Sequence, residues 1–126
     1  MKRIFISLFT VVLAVSLLAQ APQSFKYQTV VRNADGTNVL ASQTVAFRIS
    51  ILQGSISGTE SYVETFNVAT NQFGLAVFNI GEGSPVTGTF PSINWGAGPY
   101  FVKVEIDPAN GTDFEEVGTS ELLSVP

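Results

Sequence analysis

Beyond residue 24 the chain is dominated by alternation of apolar and polar positions with a period of two. From Ser24 to Arg32, Phe25, Tyr27, Thr29 and Val31 fall on one side, and Lys26, Gln28 and Arg32 mark the other. Alternation of this kind marks a half-buried strand. The pattern is cleaner from Thr44 to Leu52, where Val45, Phe47, Ile49 and Ile51 alternate with Thr44, Ala46, Arg48 and Ser50. Glu60 to Ala69 predicts a third strand. Its inner face is left open by the pattern, because Glu64 shares a side with Tyr62, Phe66 and Val68, opposite Val63, Thr65 and Asn67. Leu75 to Ile80 predicts a fourth, with Ala76, Phe78 and Ile80 in phase.

Val86 to Asn94 reads as irregular or as a weak edge strand, since Pro91 cannot donate to a ladder. Trp95-Gly96-Ala97-Gly98-Pro99 then turns into the clearest strand of the chain. Tyr100, Val102, Val104 and Ile106 form one face there; Phe101, Lys103 and Glu105 form the other. Phe114 to Ser120 predicts a further strand, and Glu121 to Val125 a short last one.

Turn chemistry separates these segments: Asp35-Gly36, the small-residue run from Gln53 to Thr59, Thr70 to Gly74, Gly81 to Pro85, and Asn110-Gly111. Val39-Leu40 reads as a short extension after the first turn. No segment after residue 24 has sustained helical spacing with caps. Six or seven short, mainly antiparallel strands in 126 residues predict an all-β fold, an immunoglobulin-like β-sandwich.

The N-terminus follows a different pattern. Lys2 and Arg3 precede an apolar run from Ile4 to Leu18 interrupted only by Ser7, Thr10 and Ser16, and Ala19-Gln20-Ala21 supplies small residues. This is the layout of a cleaved signal peptide. The run is shorter than the roughly 20 residues needed to span a bilayer. Cleavage after Ala19 keeps Pro22 away from the cut, so the expected organisation is a signal peptide over 1–19 and one sandwich domain over 20–126. The predicted location is secreted or cell-surface, with no stable membrane insertion after cleavage.

Composition narrows the chemistry. The chain has no cysteine and no histidine. Disulfides, thiol nucleophiles, histidine acid–base catalysis and most zinc or iron sites need those residues. Without Lys2 and Arg3, Lys26, Arg32, Arg48 and Lys103 face ten acidic residues, a net charge of −6. Such a surface repels phosphate backbones, so nucleic acid is not an expected partner.

Three constellations are candidates for chemistry. Glu105, Asp107, Glu115 and Glu116 are near one another and could pair as acid and base, which requires one of them in an apolar pocket. Glu105 lies on the outward phase and the others border a turn, so a solvated hairpin end is the expectation. Asp107, Asn110 and Asp113 could present oxygen ligands to calcium, the one plausible metal, although Asp, Asn and Gly are also ordinary turn residues. No other cofactor is expected. Trp95, Tyr100 and Phe101 could offer a flat platform to a sugar ring. Aromatics this close to a central strand more often pack, with Trp95 closing one end of the sandwich.

The assembled motifs resemble a known module. Ala21 to Gln28 looks like the start of an N-terminal domain of many secreted or surface proteins of Bacteroidota-type bacteria. The likeness continues through Val45 to Gly54, Thr70 to Leu75, Ile80-Gly81, Ile93 to Gly96, Gly98 to Phe101, Gly118 to Ser120 and Leu122 to Pro126. In that family the final S-V-P usually leads into collagen-like, tail-fibre-like or self-cleaving chaperone regions, whereas this chain stops there. The family has no established catalytic residues, and its domain is of unknown function. A looser resemblance, to prealbumin-type sandwiches of surface proteins, rests on the turn from Thr70 to Gly74 between two strands. The resulting expectation is a non-enzymatic structural or adhesive module, the N-terminal head of a larger surface protein, whose partner is a surface glycan or another surface protein. The alternative is a carbohydrate-binding module built on Trp95.

Overall fold

The computed structural model describes residues 24–123. It is all-β, with seven strands: β1 (Phe25–Val30), β2 (Thr44–Gln53), β3 (Thr59–Ala69), β4 (Leu75–Ile80), β5 (Ser84–Thr87), β6 (Tyr100–Asp107) and β7 (Glu115–Glu121). They form two antiparallel sheets, a small one of order β1-β4 and a large one of order β5-β3-β2-β6-β7. The predicted signal peptide over 1–19 lies outside the described residues. No described helix is long and apolar enough to cross a membrane.

The sheets pack face to face through the alternating positions. Val45, Phe47, Ile49 and Ile51 of β2 are fully buried. They meet Ala76, Phe78 and Ile80 of β4 and Val102, Val104 and Ile106 of β6 in one core. Each fully buried Ile or Phe stabilises by about 1.5–3 kcal/mol. The Phe78 ring joins the layers, with centroids 4.7 Å from Phe47, 4.4 Å from Phe66 and 5.4 Å from Tyr27.

The open question of β3 resolves in favour of the aromatic side. Tyr62 is buried and Phe66 and Val68 pack on the core, so Glu64 is carried inward with them at 0% exposure. Val39 makes the short extension, bridging back to Arg32.

Two segments differ from the expectation. The edge strand is Ser84–Thr87, which begins two residues before the predicted stretch and overlaps it at Val86 and Thr87, and it pairs with Val63 to Thr65; the rest of 86–94 is irregular. Pro85 is tolerated because an edge strand has a side with no ladder to donate to. Phe90–Ser92 and Trp95–Ala97 are single 3-10 turns instead. At the other end, β7 reaches Glu121, and Leu122 adds one bond from its N–H to Tyr100 O at 2.8 Å. A separate last strand is not formed over the described part of 121–125.

Candidate functional site

The aromatic trio is divided by strand alternation. Tyr100 points into the core at 3% exposure, and its hydroxyl donates to Asn94 O at 2.8 Å. Phe101, the next residue along, faces the other side of the sheet and is half-buried opposite Leu52. Trp95 sits half-buried, edge-on to Tyr100 at 5.2 Å and to Phe90 at 5.6 Å. Phe90 continues this cluster to Tyr62 and Phe25. The loop is tied to β2 by Gln53 Nε2 donating to Ala97 O and by Gly54 N–H donating to Pro99 O. Trp95 therefore covers one end of the core, and the three rings do not share a flat face.

The loop after β6 is organised by Asp107. Its carboxylate accepts backbone N–H bonds from Ala109 at 3.0 Å, Gly111 at 2.9 Å and Asp113 at 3.0 Å. These donors, Asp113 foremost, hold its carboxyl below the usual aspartate range. Asn110 takes a left-handed φ of 60°. Asp113 thus joins the loop through its backbone. Among the described residues, no group of three or more His, Cys, Asp or Glu side chains is placed to hold a metal ion.

Glu105 lies on the outward face, as its phase requires, but it is not solvated. It is 7% exposed. Arg48 donates to it twice, from Nε to Oε1 at 2.9 Å and from a terminal nitrogen to Oε2 at 2.8 Å, and Phe114 lies 4.7 Å from the guanidinium. The Arg48 hydrogen bonds hold the Glu105 carboxyl below its usual range.

Glu64 is the buried acid whose setting the sequence leaves undefined. Oε1 accepts from Tyr62 Oη at 2.6 Å and from Gly83 N–H at 2.8 Å, and Oε2 accepts from Gly81 N–H at 2.7 Å. Burial pushes the Tyr62 hydroxyl well above the usual tyrosine range, and the bond to Glu64 and its charge add to this. Gly83 must be glycine here, since a Cβ would stand 2.7 Å from Thr65 O and 2.8 Å from Phe66 Cζ. The signals were Tyr62 and Glu64 in phase on one strand, and the two glycines spaced to aim backbone donors at one side chain.

These shifts predict a stability profile. Asp107 and Glu105 are depressed, so their contribution is present above the ordinary carboxylate values near about 4 and is lost as pH falls through the folded values. Tyr62 is raised, so its contribution is present below about 10 and is lost as pH rises through its folded value. With no histidine to titrate between, urea midpoints should be level from about pH 5 to 9 and fall on both sides. A marked step near neutrality would contradict this.

What the described residues leave open is a groove between β1 and β7. Two recesses of about 330 and 280 Å³ share Thr29 and Val117 and so run together. Val102, Val104 and Ile106 of β6 form the floor, and Glu115 and Glu116 stand at one end. The groove exists because two strands cover five: β1 reaches over β6, whose inner face is buried, and leaves β7 exposed beside it.

Fold and groove define a class: an all-β two-sheet module with an open side. The chain belongs to the family described as Domain of unknown function (DUF8740), whose model matches residues 26–121. No curated protein and no solved structure matches the chain.

Proposed function

We propose that this chain is a non-catalytic, exported binding module. It is an immunoglobulin-like or prealbumin-like sandwich serving as the N-terminal head of a secreted or cell-surface protein of Bacteroidota-type bacteria. One observation carries the non-catalytic reading. Each carboxylate that the fold buries is already engaged by the protein's own donors: Glu64 by Tyr62, Gly81 and Gly83, Glu105 by Arg48, and Asp107 by three backbone N–H groups. A general acid or base needs an atom that can reach the substrate proton. Such carboxylates position backbone and strands instead. The N-terminal pattern of Lys2, Arg3 and the apolar run supports export.

Trypsin treatment of intact producing cells tests the reading. Mass spectrometry of the released material should find a peptide beginning at Gln20 and ending at Lys26. Recovery only from the cytosol, or with Met1 and the apolar run attached, would overturn export. Hydrolysis of a peptide or glycan panel at enzyme-like rates would overturn the non-catalytic part.

A further inference from the structure

We propose that the β1–β7 groove receives an extended segment of a partner protein as a third strand of the small sheet, with apolar side chains at alternate positions and Lys or Arg beside β7. The proposal rests on the reading of the chain as a binding module and names its partner class.

The backbone supplies the first part of the argument. Among the described residues β1 pairs only with β4. Val31 N–H donates to Gly74 O at 2.8 Å, which continues the β1–β4 register by one residue. Antiparallel ladders bond at alternate residues, so Tyr27 and Thr29 face β4, and the backbone groups of Lys26, Gln28 and Val30 point to the open side. A strand laid along that edge gains a row of main-chain hydrogen bonds, which is how strand addition obtains its affinity.

The side chains supply the second part. Beneath such a strand lie Val102, Val104 and Ile106, and beside it Val117, which is 60% exposed. A Cβ placed on Gly118 meets nothing within 4 Å. That open space over a central position of β7 suits an incoming apolar side chain at every second residue.

Charge selects the occupant. β7 carries Glu115, Glu116 and Glu121 and no basic residue. Glu116 Oε2 accepts from Thr119 Oγ1 at 2.6 Å, while Glu115 makes no side-chain hydrogen bond among the described residues. A second copy offering its own β7 would bring glutamates against glutamates, and like charges across a strand pair are destabilising. The β5 edge of a second copy contains Pro85, which interrupts its donors. A foreign segment with basic residues avoids both obstacles.

The test uses the whole protein and a synthetic peptide of about nine residues, long enough at about 3.3 Å per residue to span the six residues of β1 with one or two to spare at each end. Thr and Val alternate in it, with Lys at both ends. Amide hydrogen exchange of labelled protein is followed as peptide is added. The Gln28 and Val30 amides should slow at least tenfold in a saturable way. A peptide ending in Glu instead should bind about tenfold more weakly at low salt. Gly118→Trp should remove the effect, with Gly118→Val as the milder filling should the larger one fail to fold. The proposal is overturned by absence of slowing, by equal binding of the Glu-ended peptide, or by unchanged binding to a folded Gly118 variant. It is also overturned if these amides are already slow in the free protein, since a second copy or the chain itself would then fill the groove. Loss of these effects alongside surface recovery of the Gln20 peptide would refute the groove and leave the module reading standing. Cleavage of the bound peptide would refute the module reading and leave the groove standing.

Discussion

Glu64→Ala should lower the unfolding free energy by about 4 kcal/mol, because three donors lose their acceptor inside the core at about 1–3 kcal/mol each. The donors are Tyr62 Oη, Gly81 N–H and Gly83 N–H. For a domain of this size that is a fall in Tm of roughly 20 °C, and a large share of a total of about 5–15 kcal/mol. Glu64→Gln should lie between, since it retains one acceptor but sets amide hydrogens against a donor. Tyr62→Phe should cost only about 1–2 kcal/mol, because both backbone donors keep their carboxylate. Equal losses for Tyr62→Phe and Glu64→Ala, measured by urea unfolding, would show that Glu64 does not anchor the turn between β4 and β5.

Phe78→Ala should cost about 3–5 kcal/mol. The ring is 8% exposed and meets Tyr27, Phe47 and Phe66, rings from β1, β2 and β3. Removing it leaves a cavity where the small sheet meets the large one. Among the described residues the small sheet has two strands, so few other contacts can compensate. Val77→Ala, its neighbour on the exposed face at 43%, should change stability by less than about 0.5 kcal/mol. If both variants lost the same stability, the packing of the two sheets through Phe78 would be wrong.

The strands with one apolar and one polar face were legible in the sequence. β2 alternates in sequence from Thr44 to Ile51 and β6 from Val102 to Ile106, and one face of each forms the core. β5 was misplaced for a physical reason. It is a four-residue edge strand, exposed throughout, containing Pro85, so neither burial nor propensity marks it. The inward turn of Glu64 was hidden because two of its three donors are backbone N–H groups 17 and 19 residues away. Glu105 was placed on the correct face with the wrong environment, since its cover comes from Arg48, 57 residues distant. The groove could not be read from any local pattern. It follows from the pairing order, in which β4 joins β1 in a two-stranded sheet that stops short of β7.

Buried side chains serve the fold, and the free edge of β1 is the proposed docking line for a partner. Amide exchange along β1 in the free protein separates the two roles. Lys26, Gln28 and Val30 should exchange rapidly, while Tyr27 and Thr29, held by β4, exchange slowly. Uniformly slow exchange over β1 would contradict the account, because the edge on which it depends would already be occupied.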